Sequence, residues 1–368
     1  MAQESTPLPI ILPDAAWRAR FRRSLRRWYA RCARDLPWRR SRDPYRVWVS
    51  EIMLQQTQVA TVEPYFKRFL RAFPTVRALA RAREASVLRL WEGLGYYRRA
   101  RQMHQAARQI VEQHGGRFPR DCQSVRTLPG VGRYTAGAIL SIAFDARQPI
   151  LEANTIRLFC RLLAYDGSPQ AHEGQALLWA MAECVLPRQE VGTFNQALME
   201  LGSEVCRGRG PACDECPVAR LCEARRLGLE TQIPRPKQKP TFEYRREAAV
   251  LLRRPGRVLL VRRAEGGRWA GLWDFPRYRL DAEHEERRRE ELVEKLRRQT
   301  GLAVELGTCL KTIRHGVTRY RITLTCYEAR RVSGRLKRRA SEPMRWVRPA
   351  ELDDYPLSTT GRKLCRLV

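Results

Sequence analysis

Apolar positions recur at a helical period through most of the first 230 residues. The run over 14–38 is amphipathic and basic and closes on Leu36-Pro37-Trp38. Asp43-Pro44 then supplies a capping side chain followed by a proline at the first helical position, and Tyr45, Val49, Ile52 and Met53 fall at the spacing of a core-facing stripe. Helical runs continue over 59–73, 78–91 and 100–113, the last two separated by Gly93-Leu-Gly-Tyr-Tyr97, and resume over 154–165 and 174–185. No stretch before residue 240 has the period-two alternation of a strand. A proline- and charge-rich linker at 231–241 marks a change of pattern. Beyond it, 247–252, 257–262, 318–327 and 344–347 are alternating and β-branched, with one helix at 285–299. These patterns predict a multidomain chain: an all-α domain over 14–230, then an α+β domain over 242–368.

Between two of the helical runs lies Leu128-Pro-Gly-Val-Gly-Arg-Tyr134, a helix–hairpin–helix turn. Gly130 and Gly132 allow a tight turn and close approach, and the free N–H groups opening the next helix suit a phosphate. Charge points the same way. The formal net charge is +31, and 63 of the 70 basic residues are arginine. Such an excess favours a polyanionic partner, bound largely through its backbone and sensitively to salt. Compositional bias towards arginine contributes to the count, and a solvated arginine-rich surface is the competing reading. No apolar run is long enough to span a bilayer, so no membrane association is expected. Residues 1–13 carry no basic flank followed by an apolar segment, which argues against a secretory signal.

Eleven cysteines in a chain read as intracellular suggest metal binding or buried thiols rather than disulfides. Four of them, Cys206, Cys213, Cys216 and Cys222, have a compact spacing that suits a [4Fe–4S] cluster. Structural zinc is the alternative, disfavoured because the spacing is not a repeated Cys-x2-Cys pair. Arg207, Arg209 and Arg220 lie beside them, so a cluster here would hold a basic loop in shape. The other seven cysteines are expected to be buried apolar thiols.

Hairpin, tetracysteine loop and helical context together resemble the endonuclease III superfamily of DNA glycosylases. Within it, Glu51-Ile-Met-Leu-Gln-Gln-Thr-Gln-Val59 and Gly93-Leu-Gly-Tyr-Tyr97 are most similar to adenine glycosylases of the MutY type. The resemblance implies a helix–hairpin–helix glycosylase domain with an iron–sulfur loop, followed by a Nudix-like domain. It implies a cytoplasmic monomer acting on double-stranded DNA that contains an adenine mispair. Adenine opposite 8-oxoguanine, or less efficiently guanine, would be hydrolysed from its sugar to leave an abasic site. By the same resemblance Glu51 is the acid that protonates the departing base, and partial burial would raise its pKa. A second carboxylate would stabilise the oxocarbenium-like sugar. The family has aspartate-Gly-Asn there, whereas this chain has Glu152-Ala153-Asn154. Glutamate reaches about 1.5 Å further than aspartate, so either the backbone shifts or the rate suffers. Asn154 would position the sugar or the carboxylate, or simply cap its helix.

Tyr134 stands where lyase-competent relatives carry a Schiff-base lysine, which favours base removal without strand cleavage. Gln55, Gln56 and Tyr96 fall among the DNA-contacting residues, Gln55 and Tyr96 as wedges into the duplex. In the second domain, Val317-Thr318-Arg319 corresponds to the turn that touches the oxidised base; Thr318 keeps a hydroxyl and Arg319 offers a cation. A hydrolytic Nudix motif would place paired glutamates at 298 and 299. Arg298 and Gln299 stand there instead, so no Mg²⁺-dependent pyrophosphatase activity is expected. The rivals are a thymine–guanine mismatch glycosylase, a bifunctional lyase, and a non-catalytic iron–sulfur DNA-binding protein should Glu152 disable the site.

Overall fold

The computed structural model describes residues 12–235, 241–264, 266–337 and 342–368. Part of the predicted linker (236–240) and most of the N-terminal stretch (1–11) lie outside them. By contacts the chain divides into two units, Met1–Arg81 with Gln102–Gln238, and Ala82–Arg101 with Lys239–Val368.

The helices in chain order are α1 (Ala15–Cys32), α2 (Pro44–Leu54), α3 (Val59–Ala72), α4 (Val76–Arg81), α5 (Glu84–Trp91), α6 (Arg98–Gln113), α7 (Cys122–Thr127), α8 (Arg133–Phe144), α9 (Ala153–Leu162), α10 (His172–Val185), α11 (Val191–Glu200) and α12 (Glu223–Arg226). Their starts follow local chemistry. Asp14, Asp43 and Asp121 each accept a backbone N–H within the first turn of α1, α2 and α7. The expected run at 78–91 is in fact two helices, α4 and α5, broken around Ala82-Arg83. The stripe read from the sequence is inward: Tyr45, Val49, Ile52 and Met53 are all buried. A second core gathers Phe21 and Leu25 of α1, Leu158 and Phe159 of α9, Leu178 and Met181 of α10 and Phe194 of α11. Burying such side chains stabilises by about 1.5–3 kcal/mol each, which is what holds helices this arginine-rich together.

Among the described residues, strands occur only in the second unit. They are β1 (Glu243–Arg254), β2 (Arg257–Arg262), β3 (Trp273–Asp274), β4 (Arg277–Leu280), β5 (Leu302–Val317), β6 (Tyr320–Gly334) and β7 (Met344–Val347). They form one mixed sheet in the order β3-β2-β1-β6-β5, with β4 pairing β1 and β7 pairing β2. β1 runs parallel to β6; β5 and β6 form a long antiparallel hairpin. Alternate residues of β1 serve two cores. Ala249 and Leu251 point to one, while Ala248, Val250 and Leu252 join Leu292 and Leu296 of α13 (Glu285–Thr300) in the other. A short α14 (Thr359–Leu364) closes the first of these. Thr318 and Arg319, placed at the start of a strand by alternation but in a turn by resemblance, make the turn between β5 and β6, where Val317 pairs with Tyr320. The period-two pattern runs on through the turn because a two-residue hairpin does not interrupt it.

Candidate active site

Four segments converge on one cavity of about 570 Å3 in the first unit. The last turn of α2 contributes Glu51, and the residues just beyond it contribute Gln55 and Gln56. The first turn of α8 contributes Tyr134, and the start of α9 contributes Glu152 and Asn154. The hairpin makes this convergence possible. Gly130 sits in the left-handed region at φ +79° in the turn between α7 and α8. Gly132 is extended at φ −87°, a conformation any residue adopts, but the space where its side chain would stand is open, leaving the N-terminus of α8 approachable. One turn further on, a Cβ at Gly137 would collide with the carbonyl oxygen of Pro149. That close approach sets the segment leading to Glu152 directly against α8.

Glu51 is only 6% exposed. The Tyr134 hydroxyl donates to its Oε2 at 2.7 Å. Burial pushes the Glu51 carboxyl up to about 7; the negative charge of Glu152 adds to this, while the tyrosine hydrogen bond and Arg39 oppose it. A carboxyl in this state exchanges a proton near neutral pH. The Tyr134 hydroxyl is itself raised by burial and by both carboxylates, so it remains a donor.

Glu152 caps α9. Its backbone is extended, and its two oxygens accept from the N–H groups of Thr155 (3.0 Å) and Asn154 (2.9 Å), while the Thr155 hydroxyl accepts from the Glu152 N–H. The additional methylene of glutamate is thus absorbed by curling the carboxylate back over its own helix end. Burial raises the Glu152 carboxyl, against those two N–H groups and Arg157. Asn154 does not cap. It is the second residue of α9, and its Oδ1 accepts from Arg157 Nη2 at 2.9 Å.

Gln55 ends α2 and reaches Thr135 Oγ1 at 3.4 Å. Gln56 is exposed in the left-handed region at φ +56°. In the second unit, Tyr96 is exposed at φ +46°, whereas Tyr97 is buried and donates its hydroxyl to the Leu357 carbonyl at 3.1 Å. Thr318 is exposed at φ +51°, a conformation that a β-branched residue rarely adopts.

Both matching family models agree with this architecture. Residues 49–184 match the HhH-GPD superfamily of base excision DNA repair proteins, and residues 248–367 match the NUDIX domain. An adenine DNA glycosylase of Rattus norvegicus is 34% identical over 412 residues, spanning 97% of this chain and 79% of its own. Its Homo sapiens counterpart is 34% identical over 413 residues, 96% of this chain and 75% of its own. The chain belongs to the adenine DNA glycosylase family. Among solved structures, a thermostable thymine-DNA glycosylase is 28% identical at a TM-score of 0.54, covering 58% of this chain and all of its own. Endonuclease III in a non-covalent DNA complex shares the fold at 20% identity and a TM-score of 0.51, over 60% of this chain and 99% of its own.

One cluster in this family member escaped sequence reasoning. Glu200, at the end of α11 and in the cavity wall, is buried, yet two arginines hold its carboxyl down at about 2 against the effect of burial. Arg34 reaches it through Nε and Nη2 at 2.8 and 2.7 Å, and Arg39 through Nη2 at 2.8 Å. The available signal was a lone acid closing the otherwise uncharged helix Val191–Glu200. The four cysteines of the 206–222 loop line one apolar void with Leu158, Leu162 and Val218. Among the described residues, no three His, Cys, Asp or Glu side chains lie close enough together to hold a single metal ion. Of the other seven cysteines, Cys160 and Cys326 are buried as expected, but Cys32 and Cys309 are exposed. Each of those two lies on an outward face of its element, where period alone does not separate thiols from polar residues.

Proposed function

We propose that this chain is a monofunctional adenine DNA glycosylase that releases adenine paired with 8-oxoguanine, and less efficiently with guanine, from double-stranded DNA. The observation that carries the reading is the buried Glu51 carboxyl, poised near neutrality and held by Tyr134. A general acid is most effective when its pKa lies near the working pH. Glu51 donates a proton to N7 of the flipped adenine, which turns the base into a neutral leaving group. Glu152, fixed by two backbone N–H groups, supplies negative charge beside the developing oxocarbenium ion, and water completes the hydrolysis. Asn154 and Arg157 keep the start of α9 in place. Tyr134 has no amine with which to form a Schiff base, so the product is an abasic site and the strand stays intact.

Gly130 and Gly132 offer backbone N–H groups to phosphate, with Gln55 and Tyr96 entering the duplex and Gln56 contacting it. The strained, exposed Thr318 and its neighbour Arg319 read the oxidised base. Strain at an exposed β-branched residue supports that assignment, because such conformations concentrate at working sites.

Cys206, Cys213, Cys216 and Cys222 would hold a [4Fe–4S] cluster. Four thiols that line one void supply the four ligands such a cluster takes. When bound, the cluster cross-links the basic loop; the base-removal chemistry runs through Glu51 and Glu152. A brown protein carrying iron and sulfide in equal amounts is expected, and a colourless zinc protein would overturn this assignment.

Single-turnover assays on duplexes with adenine opposite 8-oxoguanine, adenine opposite guanine, and thymine opposite guanine test the whole reading. Absence of adenine release would end it. The thymine arm addresses the likeness to the thymine-DNA glycosylase; release there without adenine release would transfer the assignment, since thymine has no N7 for Glu51 to protonate.

A further inference from the structure

The second unit contains a cavity that base removal leaves without a task. Two adjoining hollows of about 260 and 470 Å3 share Arg263, Arg277, Tyr278, Arg279 and Glu342. One extends to Glu247, Arg268 and Trp269; the other extends to Lys295, Arg298 and Gln299 of α13. Six cationic side chains thus line the space with two carboxylates, and both carboxylates are already engaged; three more behind the wall, Asp274, Asp281 and Glu291, pair with Arg263, Arg277, Arg279 and Lys295. Glu247 accepts from Arg268 at 2.5 Å and from Arg277 at 2.6 Å, and Glu342 accepts from Gln299 at 2.9 Å.

Two donors in the wall go unanswered. Arg263 Nε and Arg268 Nη1 are buried with no hydrogen-bond partner among the described residues. A buried guanidinium N–H without an acceptor is costly, and such groups mark a missing water or ion. Both unanswered donors are guanidinium N–H groups, which select an anionic acceptor. The cradle is also built firmly. Arg277 is held by Glu247 and by Thr360 Oγ1 at 2.9 Å, and Trp269 lies beside Arg277 and Arg268, with guanidinium-to-ring distances of 4.4 and 5.1 Å. Trp269 itself is kept in the left-handed region at φ +57°.

We propose that this cavity binds a phosphate group directly through arginine, without a divalent cation. In a metal-dependent site, oxygen ligands hold a cation that in turn holds the phosphate. Here the positions expected to carry paired glutamates are Arg298 and Gln299, so the positive charge is supplied by side chains. Guanidinium forks match phosphate oxygens in geometry as well as charge. The phosphate comes either from a DNA backbone or from a free nucleoside phosphate; the chemistry of the cavity is the same for both. The inference does not depend on which base the enzyme removes.

Calorimetric titration of the full chain with inorganic pyrophosphate, in EDTA and at low salt, tests it. Saturable binding is expected, unimproved by Mg²⁺. Arg268→Gln and Arg298→Glu should each weaken it by about tenfold or more, the scale of a lost charge-assisted hydrogen bond. Arg298 is exposed, so its substitution leaves the fold intact and keeps the test valid should Arg268→Gln perturb the loop. No saturable binding, binding that requires Mg²⁺, or binding unchanged in both variants would overturn the proposal. The source of the phosphate follows from competition. Displacement of pyrophosphate by a short unmodified duplex, with weaker duplex binding by Arg298→Glu, identifies a backbone phosphate. Displacement by dADP but not by the duplex identifies a free nucleotide.

Discussion

Glu51 is the residue at which stability and chemistry oppose each other. Its carboxyl is raised from 4.5 to about 7, chiefly by burial. The folded chain therefore holds this proton more tightly than the unfolded chain does. The contribution of Glu51 to folding stability falls as pH rises from 4.5 to about 7 and is constant outside that window. A rise of this size corresponds to a penalty of about 3 kcal/mol above neutrality. Glu51→Gln keeps the shape and an acceptor for Tyr134 while removing the charge. It should abolish adenine release and make the protein more stable at pH 8 by about that amount, as denaturant unfolding would show. A variant no more stable than the parent at pH 8 would mean that burial does not raise this carboxyl. Because the protonated form is the active one, the rate of adenine release should fall as pH rises through about 7. The Tyr134 hydrogen bond lowers the Glu51 pKa, so Tyr134→Phe should move that limb of the single-turnover pH profile upward. A limb that stays in place would detach Tyr134 from the proton. At this scale the sequence was only partly legible. Glu51 and Tyr134 are 83 residues apart, and only a resemblance, not a period, brings them together. The tie of Glu200 to Arg34 and Arg39 spans more than 160 residues and had no local signature.

Among elements, α9 carries at its start the glutamate that stands where the resemblance leads one to expect an aspartate. Glutamate is an uncommon N-cap, and here it fills that role with both oxygens. Asparagine is a strong N-cap without charge, so Glu152→Asn separates the two functions. Thermal stability should stay close to the parent's, while adenine release should slow by about a hundredfold or more, the scale of removing one electrostatic contact to a charged transition state. An unchanged rate would leave Glu152 a cap and nothing more. Elements with a stripe and a capping residue were legible: α2 starts at its Asp43-Pro44 signal, and β2 and β7 occupy 257–262 and 344–347 as read. β5 was not. Its 16 residues contain only two that are buried, so no alternation announces it. Pairing with β6, bulges included, makes it a strand. The turn at Thr318-Arg319 was legible only through the resemblance, since the alternating pattern continues on both sides of it. Short β3 and β4 exist through their pairing with β2 and β1, which no window of four residues foretells.

For the whole molecule, the division of the chain does not follow sequence order. Ala82–Arg101, from the middle of the helical region, groups with the residues after 239. No local pattern predicts this, because the ties are single side chains. Glu92 accepts from Arg362 through Nε at 2.7 Å and Nη2 at 3.0 Å, a bidentate pair in which the carboxylate is nearly buried. Arg89 joins it at 3.2 Å, and Tyr97 donates to Leu357. Between these anchors runs Gly93 to Tyr96, the loop that presents an exposed tyrosine. Trp91 Nε1 donates to the Gly95 carbonyl at 3.0 Å, and Arg99 lies over the rings of Trp91 and Tyr96. The loop is thus ordered from outside its own sequence neighbourhood. Arg362→Met would deprive the Glu92 carboxylate of its bidentate partner, at a cost of about 2 kcal/mol for a half-buried pair. Backbone amides of 93–97 should then exchange hydrogen roughly 30-fold faster, the equivalent of that energy in a local opening. Amides of α8 and α9, which belong to the other unit, should be unaffected. Exchange that quickens everywhere would instead mean that Arg362 supports the fold at large. Exchange that quickens nowhere would mean that the loop is held by its own turn and by Arg99, with the distant arginine contributing nothing to the posture of Tyr96.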